Sequence, residues 1–126
     1  MLALSGEEAE ARSALQRVLA DAGLTPPDTA ALASSAGVAP EVAARMLTLL
    51  VRQKAIVRAG GVYFDAGALE RLKQEVRMLK EGGTTTVDVG SLKERYGLTR
   101  KYAIPLLEYL DRERVTRRQG EARLIL

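Results

Sequence analysis

A basic and aromatic segment in the second half of the chain is the feature best suited to binding a polyanion. Thr99-Arg100-Lys101-Tyr102 places two cations beside a tyrosine. Arginine and lysine neutralise phosphate, a planar guanidinium can read base edges, and tyrosine can stack on an unpaired base. Further candidate cations are Lys93, Arg117, Arg118 and Arg123. These residue types indicate nucleic-acid binding as a first hypothesis.

The residue types on which most enzymes depend are missing. The 126 residues include no histidine and no cysteine, which removes disulfides, thiolate chemistry, the commonest general base and the commonest metal ligand. No phosphate-binding glycine motif occurs. The carboxylate pair Glu7 and Glu8 fits a helix N-terminus, and Glu108 with Asp111 fits surface salt bridges beside Arg112. We therefore expect no catalytic residue, no metal site, no cofactor and no enzyme activity.

The net charge of +3 is unevenly distributed. Residues 1–66 hold six Lys/Arg and seven Asp/Glu, a net charge of −1, whereas residues 67–126 hold thirteen and nine, a net charge of +4. Such asymmetry suggests a polyanionic partner, although a solvated charged face is the alternative. No apolar run approaches the roughly 18 residues that span a bilayer, and no signal segment opens the chain. We expect a cytoplasmic module without membrane contact.

The sequence repeats itself with a period of 60 residues and no gap. Pairs of identical residues 60 positions apart include Gly23/Gly83, Asp28/Asp88, Leu32/Leu92, Gly37/Gly97, Ala43/Ala103, Leu47/Leu107, Leu50/Leu110 and Gly60/Gly120. A fixed period of this kind indicates two copies of one supersecondary unit. We therefore predict two domains, at residues 1–65 and 66–126.

Each copy predicts the order helix, strand, helix, helix, strand, strand. The first strands are placed at Leu24–Pro27 and Thr84–Val89, and Ser91 with Glu94 predicts a capping box on the following helix of the second copy. Hairpins are predicted at residues 55–65 and 115–126, around glycine turns. This order is typical of a winged helix, so the predicted fold is mainly α with small β wings, in two tandem winged-helix domains. Winged helices also bind proteins, so the fold leaves function open.

The two copies differ where the third helix begins. The first copy has Ala39-Pro40-Glu41-Val42 at the positions of Thr99-Arg100-Lys101-Tyr102 in the second. Because the scaffold is the same, this contrast supports a cationic surface specific to the second copy. In a winged helix the start of this helix lies near the wing, so the cations of both segments can share one surface.

Structural roles remain open for several of these residues. Arg118 has a counterpart in Arg58, which favours a role shared by both copies. Tyr102 can equally cap the edge of the core. Pro105 lies about six residues into the third helix, where it removes a backbone hydrogen bond. It is either a tolerated bend or a means of aiming the start of the helix at a ligand.

Two segments resemble a known family. Leu98–Asp111 reads LTRKYAIPLLEYLD and Val115–Gly120 reads VTRRQG. Together they resemble the C-terminal end of the bacterial selenocysteine-specific elongation factors, densely over about residues 90–126 and more loosely over residues 1–66. That family ends in tandem winged-helix domains, and the resemblance implies that this chain covers the last two. The family's GTPase motifs are absent from the chain.

The resemblance implies binding of a messenger-RNA hairpin, the selenocysteine insertion element beside a UGA codon. It places Arg100, Lys101, Tyr102, Arg117 and Arg118 in the matched segments. The complete set of predicted RNA-binding residues is Arg100, Lys101, Tyr102, Arg117, Arg118, Lys93 and Arg123. The first copy is predicted to be a structural spacer, the protein a monomer, and the ribosome a partner in the context of a longer protein.

Two other classes remain open. A winged-helix regulator of double-stranded DNA would place the third helix in a major groove, and it usually needs dimer symmetry that two unequal copies do not offer. A protein-interaction tandem winged helix would not need the one-sided charge.

Overall fold

The computed structural model describes residues 4–126, so the first three residues of the predicted first domain lie outside the described residues. The chain divides into two compact units, one ending at Gly67 and one spanning Ala68–Leu126. The first unit contains α1 (Gly6–Ala22), α2 (Thr29–Ala36), α3 (Pro40–Arg52), β1 (Ile56–Ala59) and β2 (Val62–Asp65). The remaining elements are α4 (Ala66–Glu81), β3 (Thr86–Val87), α5 (Val89–Tyr96), α6 (Arg100–Arg112), β4 (Thr116–Gln119) and β5 (Ala122–Ile125).

Side-chain caps fix the starts of the shorter helices. The Asp88 carboxylate accepts a hydrogen bond from the Ser91 amide at 2.7 Å, and the Ser91 hydroxyl accepts one from the Asp88 amide at 3.0 Å. The prediction of a capping box formed by Ser91 and Glu94 was therefore wrong, because the aspartate three residues earlier is the N-cap. Asp28 caps α2 in the same way, accepting from the Ala31 amide at 2.9 Å.

The first unit packs its three helices on a two-stranded hairpin. Its buried core includes Leu15, Leu19, Leu32, Leu47, Leu50, Ile56 and Phe64. The strands β1 and β2 pair antiparallel from Ile56↔Asp65 to Ala59↔Val62. The predicted strand at Leu24–Pro27 does not form. Pro26 and Pro27 carry no N–H group with which to join a sheet.

The second unit contains a three-stranded sheet in the order β3-β5-β4. The first strand is shorter than predicted, with Thr86 and Val87 pairing to Leu124 and Arg123, because Val89 already begins α5. The buried core includes Leu69, Leu72, Val76, Leu92, Leu106, Leu107, Leu110, Val115 and Ile125. The prediction of a mainly helical chain with small antiparallel sheets is confirmed.

The repeat holds at the level of the elements. The helix α3 at residues 40–52 corresponds to α6 at residues 100–112, and the strands β1 and β2 correspond to β4 and β5, each shifted by 60. Even an unusual backbone conformation recurs, since Lys54 and Arg114 both adopt positive φ angles, of 61° and 59°. Among the described residues, no helix combines the length and the apolar character needed to cross a bilayer.

Candidate nucleic-acid interface

A cleft of about 580 Å³ in the second unit lies between the start of α6 and the hairpin β4–β5, which we call the wing. Its lining comes from three segments and consists of Asp88, Val89 and Gly90 from the start of α5, Arg100, Ile104, Leu107 and Glu108 from α6, and Arg118, Glu121, Ala122 and Arg123 from the wing. Three of the seven predicted residues, Arg100, Arg118 and Arg123, therefore meet in one place.

The register of the wing explains why Arg118 reaches the cleft. Arg118 pairs with Arg123 across the two strands, and Arg117 pairs with Leu124. Because successive side chains of a strand point to opposite faces, Arg117 lies on the other face of the wing from Arg118. Arg117 is exposed there. The two adjacent arginines therefore belong to different surfaces, a distinction that the predicted set did not make.

Lys101, Tyr102 and Lys93 lie outside the cleft lining. The Lys101 ammonium stands 5.4 Å from the centroid of the Tyr102 ring, and Tyr102 is half-buried. Lys93 is exposed on α5. Lys101 and Tyr102 nevertheless follow Arg100 directly in the first turn of α6, so they continue the basic surface beyond the cleft.

Arg123 is held in place by Asp111. The Arg123 Nε donates to Asp111 Oδ2 at 3.2 Å, and the Thr116 hydroxyl donates to Asp111 Oδ1 at 2.6 Å. The Arg123 side chain is only 11% exposed. The sequence predicted that Asp111 forms a surface salt bridge, and it does form a salt bridge, but the partner is Arg123 of the wing and the pair is largely buried. The signal that could have identified it is the comparison of copies, in which Asp111 replaces Val51.

Arg118 and its counterpart Arg58 have different neighbours. The Arg58 guanidinium lies 5.5 Å from the centroid of the Tyr63 ring, directly across β1 and β2. In the second unit the residue opposite is Arg123, and Arg118 is exposed with a long contact of 3.4 Å from its Nε to the Gly120 carbonyl. The shared arginine is thus stacked on an aromatic ring in one unit and presented to a cleft in the other.

The cleft is not purely basic. Glu108 and Glu121 line it and are exposed, and the Asp88 carboxylate at its edge is engaged as the cap of α5. Carboxylates accept hydrogen bonds from base amino groups but repel phosphates. Sequence reasoning predicted a surface salt bridge for Glu108 and did not consider Glu121, and only the fold shows that both line the same cleft as the arginines.

Pro105 is accommodated inside α6, which runs without interruption from Arg100 to Arg112. The residue is buried, and its ring cannot supply the N–H that would bond the Lys101 carbonyl. The missing bond lies in the first two turns, so it affects the part of the helix that carries Arg100 and Lys101.

A second polar cluster lies on the α4 side of this unit. The Lys73 ammonium contacts Glu70 at 3.0 Å and Glu113 at 3.1 Å, and the Tyr96 hydroxyl donates to Glu75 at 2.6 Å. Burial alone would lower the pKa of Lys73, but the hydrogen bonds to the two glutamates raise it to about 12. These groups join α4 to α5 and to the end of α6. Within residues 4–126, no three histidine, cysteine, aspartate or glutamate side chains lie close enough together to hold a metal ion.

Comparisons with known proteins agree with the resemblance seen in the sequence. Residues 77–125 match a family model described as the winged helix of elongation factor SelB. The chain is 29% identical over 126 residues to a selenocysteine-specific elongation factor of Desulfomicrobium baculatum, a match that covers 99% of this chain and 20% of that protein. The chain thus spans about a fifth of the length of this curated relative.

Solved structures give similar matches. The mRNA-binding domain of elongation factor SelB from E. coli, solved in complex with SECIS RNA, superposes with a TM-score of 0.78 at 24% identity, covering 97% of this chain and 98% of that one. A bacterial selenocysteine-specific elongation factor, EF-Sec, superposes with a TM-score of 0.66 at 28% identity, covering 97% of this chain and 18% of that one.

Proposed function

Because residues 77–125 match the family model of the SelB winged helix, we propose that this chain binds the messenger-RNA hairpin that directs selenocysteine insertion beside a UGA codon. The observation that carries the proposal is the convergence of Arg100, Arg118 and Arg123 on one cleft of that domain. These residues come from two segments of the chain, and the first unit has Pro40, Arg58 and Tyr63 at the same positions.

Different residues in and around the cleft contact the phosphates and the bases of the RNA. Arg100 and Arg118 are exposed and neutralise phosphates of the hairpin, with Lys101 and Lys93 extending the basic surface. Arg117, on the other face of the wing, contacts a separate stretch of the RNA backbone. Bases in an RNA loop are unstacked and can be read individually, which duplex RNA does not allow. The half-buried ring of Tyr102 offers a stacking face, and the carboxylates of Glu108 and Glu121 accept hydrogen bonds from base N–H groups.

We assign the two copies different roles, as two tandem winged-helix domains at residues 1–65 and 66–126. The first begins its third helix with Ala39-Pro40-Glu41, which offers no cation to a phosphate. We propose that it is a structural spacer. The chain itself performs no catalysis, and GTP hydrolysis belongs to other parts of the longer relatives. It acts as a monomer in the cytoplasm, with the ribosome as a partner in the context of a longer protein.

A titration with three nucleic acids tests this function. The ligands are a selenocysteine-insertion hairpin, the same sequence closed into a fully paired RNA duplex, and duplex DNA of equal length. We expect the hairpin to bind at least about tenfold more tightly than either duplex, with an affinity that falls with salt at a log–log slope of about −0.7 to −0.9 for each phosphate contact. Equal or tighter binding of duplex DNA would favour a DNA regulator. Failure to bind any of the three would favour a protein-interaction module.

A further inference from the structure

One carboxylate joins both strands of the wing to the end of α6. Asp111 accepts from Thr116 on β4 at 2.6 Å and from Arg123 on β5 at 3.2 Å. Thr116 is 2% exposed, and the Asp111 side chain is 27% exposed. Since Thr116 lies two residues before Arg118 on the same face of β4, and Arg123 lies directly opposite Arg118, this contact sets where Arg118 stands in the cleft.

The first unit has no charged side chain at the positions of this junction. Val51, Ile56 and Tyr63 occupy the positions of Asp111, Thr116 and Arg123. Ile56 belongs to the buried core of that unit, and Val51 and Tyr63 are partly buried against it. The fold therefore does not require an ionic junction at this place. A largely buried ion pair is often no more stabilising than apolar residues of similar size, so stability does not explain the exchange.

We propose that Asp111 is a positioning residue for nucleic-acid binding, an inference that rests on the proposed function. Its bond to Nε fixes the side chain of Arg123 in advance, so that the terminal N–H groups of the guanidinium can face the cleft that Arg123 lines. A cation held in its bound orientation loses less side-chain freedom when a phosphate or base edge arrives. The same carboxylate keeps the wing, and with it Arg118, at a fixed place beside Arg100.

The variant Asp111→Asn tests positioning against simple electrostatics. It removes a negative charge next to the cleft, which by charge alone should tighten the binding of RNA. Loss of positioning should instead weaken hairpin binding by about fivefold or more, because asparagine holds the guanidinium less strongly. Glu81→Gln, at the exposed end of α4, is the matched control for charge and should leave the affinity unchanged or slightly improved. Asp111→Glu should recover part of the loss.

A second test replaces the three junction residues of the second unit with their counterparts from the first unit. The triple variant Asp111→Val, Thr116→Ile, Arg123→Tyr should unfold at a temperature equal to or above that of the wild-type chain, yet bind the hairpin at least about tenfold more weakly and with a shallower salt dependence. If the graft does not fold, Asp111→Asn decides the question. Wild-type affinity in Asp111→Asn overturns this inference alone. Failure of the wild-type chain to bind the hairpin overturns the proposed function and this inference with it.

Discussion

Arg118 and Arg123 lie directly opposite each other on β4 and β5. Two cations facing across antiparallel strands repel, and in the first unit the same two positions hold Arg58 and Tyr63, which attract. The charge of Arg123 is offset by Asp111, whereas the Nε of Arg118 makes a long hydrogen bond of 3.4 Å to the Gly120 carbonyl. The wing thus carries a pair of like charges that an anion in the cleft would stabilise.

Replacing Arg118 with glutamine should weaken hairpin binding without lowering the stability of the fold. Removal of the repulsion should leave the free energy of unfolding unchanged or raise it by about 0.2–1 kcal/mol at low salt. Hairpin affinity should fall by about tenfold, because one phosphate contact is lost. Arg58→Gln is the matched control and should cost about 0.5–1 kcal/mol through the lost contact with Tyr63, with no effect on binding. Denaturant unfolding and a binding titration measure both quantities. A lower free energy of unfolding together with an unchanged hairpin affinity in Arg118→Gln would give Arg118 a purely structural role.

The start of α6 should contribute two phosphate contacts to the affinity that depends on salt. The double variant Arg100→Ala, Lys101→Ala should weaken hairpin binding strongly and reduce the slope of log affinity against log salt by about 1.4–1.8, corresponding to two phosphate contacts. Glu41→Ala, at the position of Lys101 in the first unit, should do little. Titrations at several salt concentrations check this, and equal effects of the two changes would contradict the division of roles between the copies.

The elements of the fold could be predicted from the sequence because the repeat supplies each of them twice. Glycine turns and apolar spacing located the helices and hairpins. Two errors arose, each for its own reason. Ser91 is a good N-cap residue, but Asp88 lies three residues earlier and caps the helix instead. The segment Leu24–Pro27 was predicted as the counterpart of the strand at Thr84–Val89, but Pro26 and Pro27 cannot donate the hydrogen bonds of a sheet.

The site could be predicted only in part, for a different reason. The contrast between residues 39–42 and 99–102 pointed to Arg100, but the face on which a wing residue lies depends on strand register. That register separates Arg117 from Arg118 and places Glu121 in the cleft. The role of Asp111 depends on a contact with Arg123, twelve residues away, which no local pattern encodes.

Glycine should stabilise the chain at Lys54 and Arg114, the residues with φ angles of 61° and 59° that follow the third helix of each unit. A side chain in this left-handed conformation costs about 1–2 kcal/mol, a strain that glycine does not have. We expect Lys54→Gly and Arg114→Gly each to raise the free energy of unfolding by about 1 kcal/mol. The alanine variants at the same positions are the controls, since alanine keeps the Cβ atom. Equal stability of the glycine and alanine variants in urea unfolding would rule out strain as the cause.

The contacts of α4 make the second unit sensitive to alkaline pH. Burial and the hydrogen bond to Glu75 raise the pKa of Tyr96, so the folded chain keeps this proton at pH values where the unfolded chain has lost it. The stability that Tyr96 contributes is therefore complete below its ordinary pKa of about 10 and declines above it. Lys73, with a pKa raised from 10.5 to about 12, contributes stability that is complete below pH 10.5 and is lost as the pH rises through about 12.

The free energy of unfolding should accordingly fall steadily from about pH 10 upwards, and Tyr96→Phe should make that decline shallower. Phenylalanine cannot titrate, so the variant loses the hydrogen bond to Glu75 at neutral pH but has no tyrosine proton to release. Urea unfolding followed by circular dichroism at pH 8, 9.5 and 11 measures the slope. Tyr63→Phe, in the first unit, serves as the control for the removal of a phenol elsewhere in the chain. Identical slopes in wild type and Tyr96→Phe would mean that deprotonation of this residue does not drive the alkaline loss of stability.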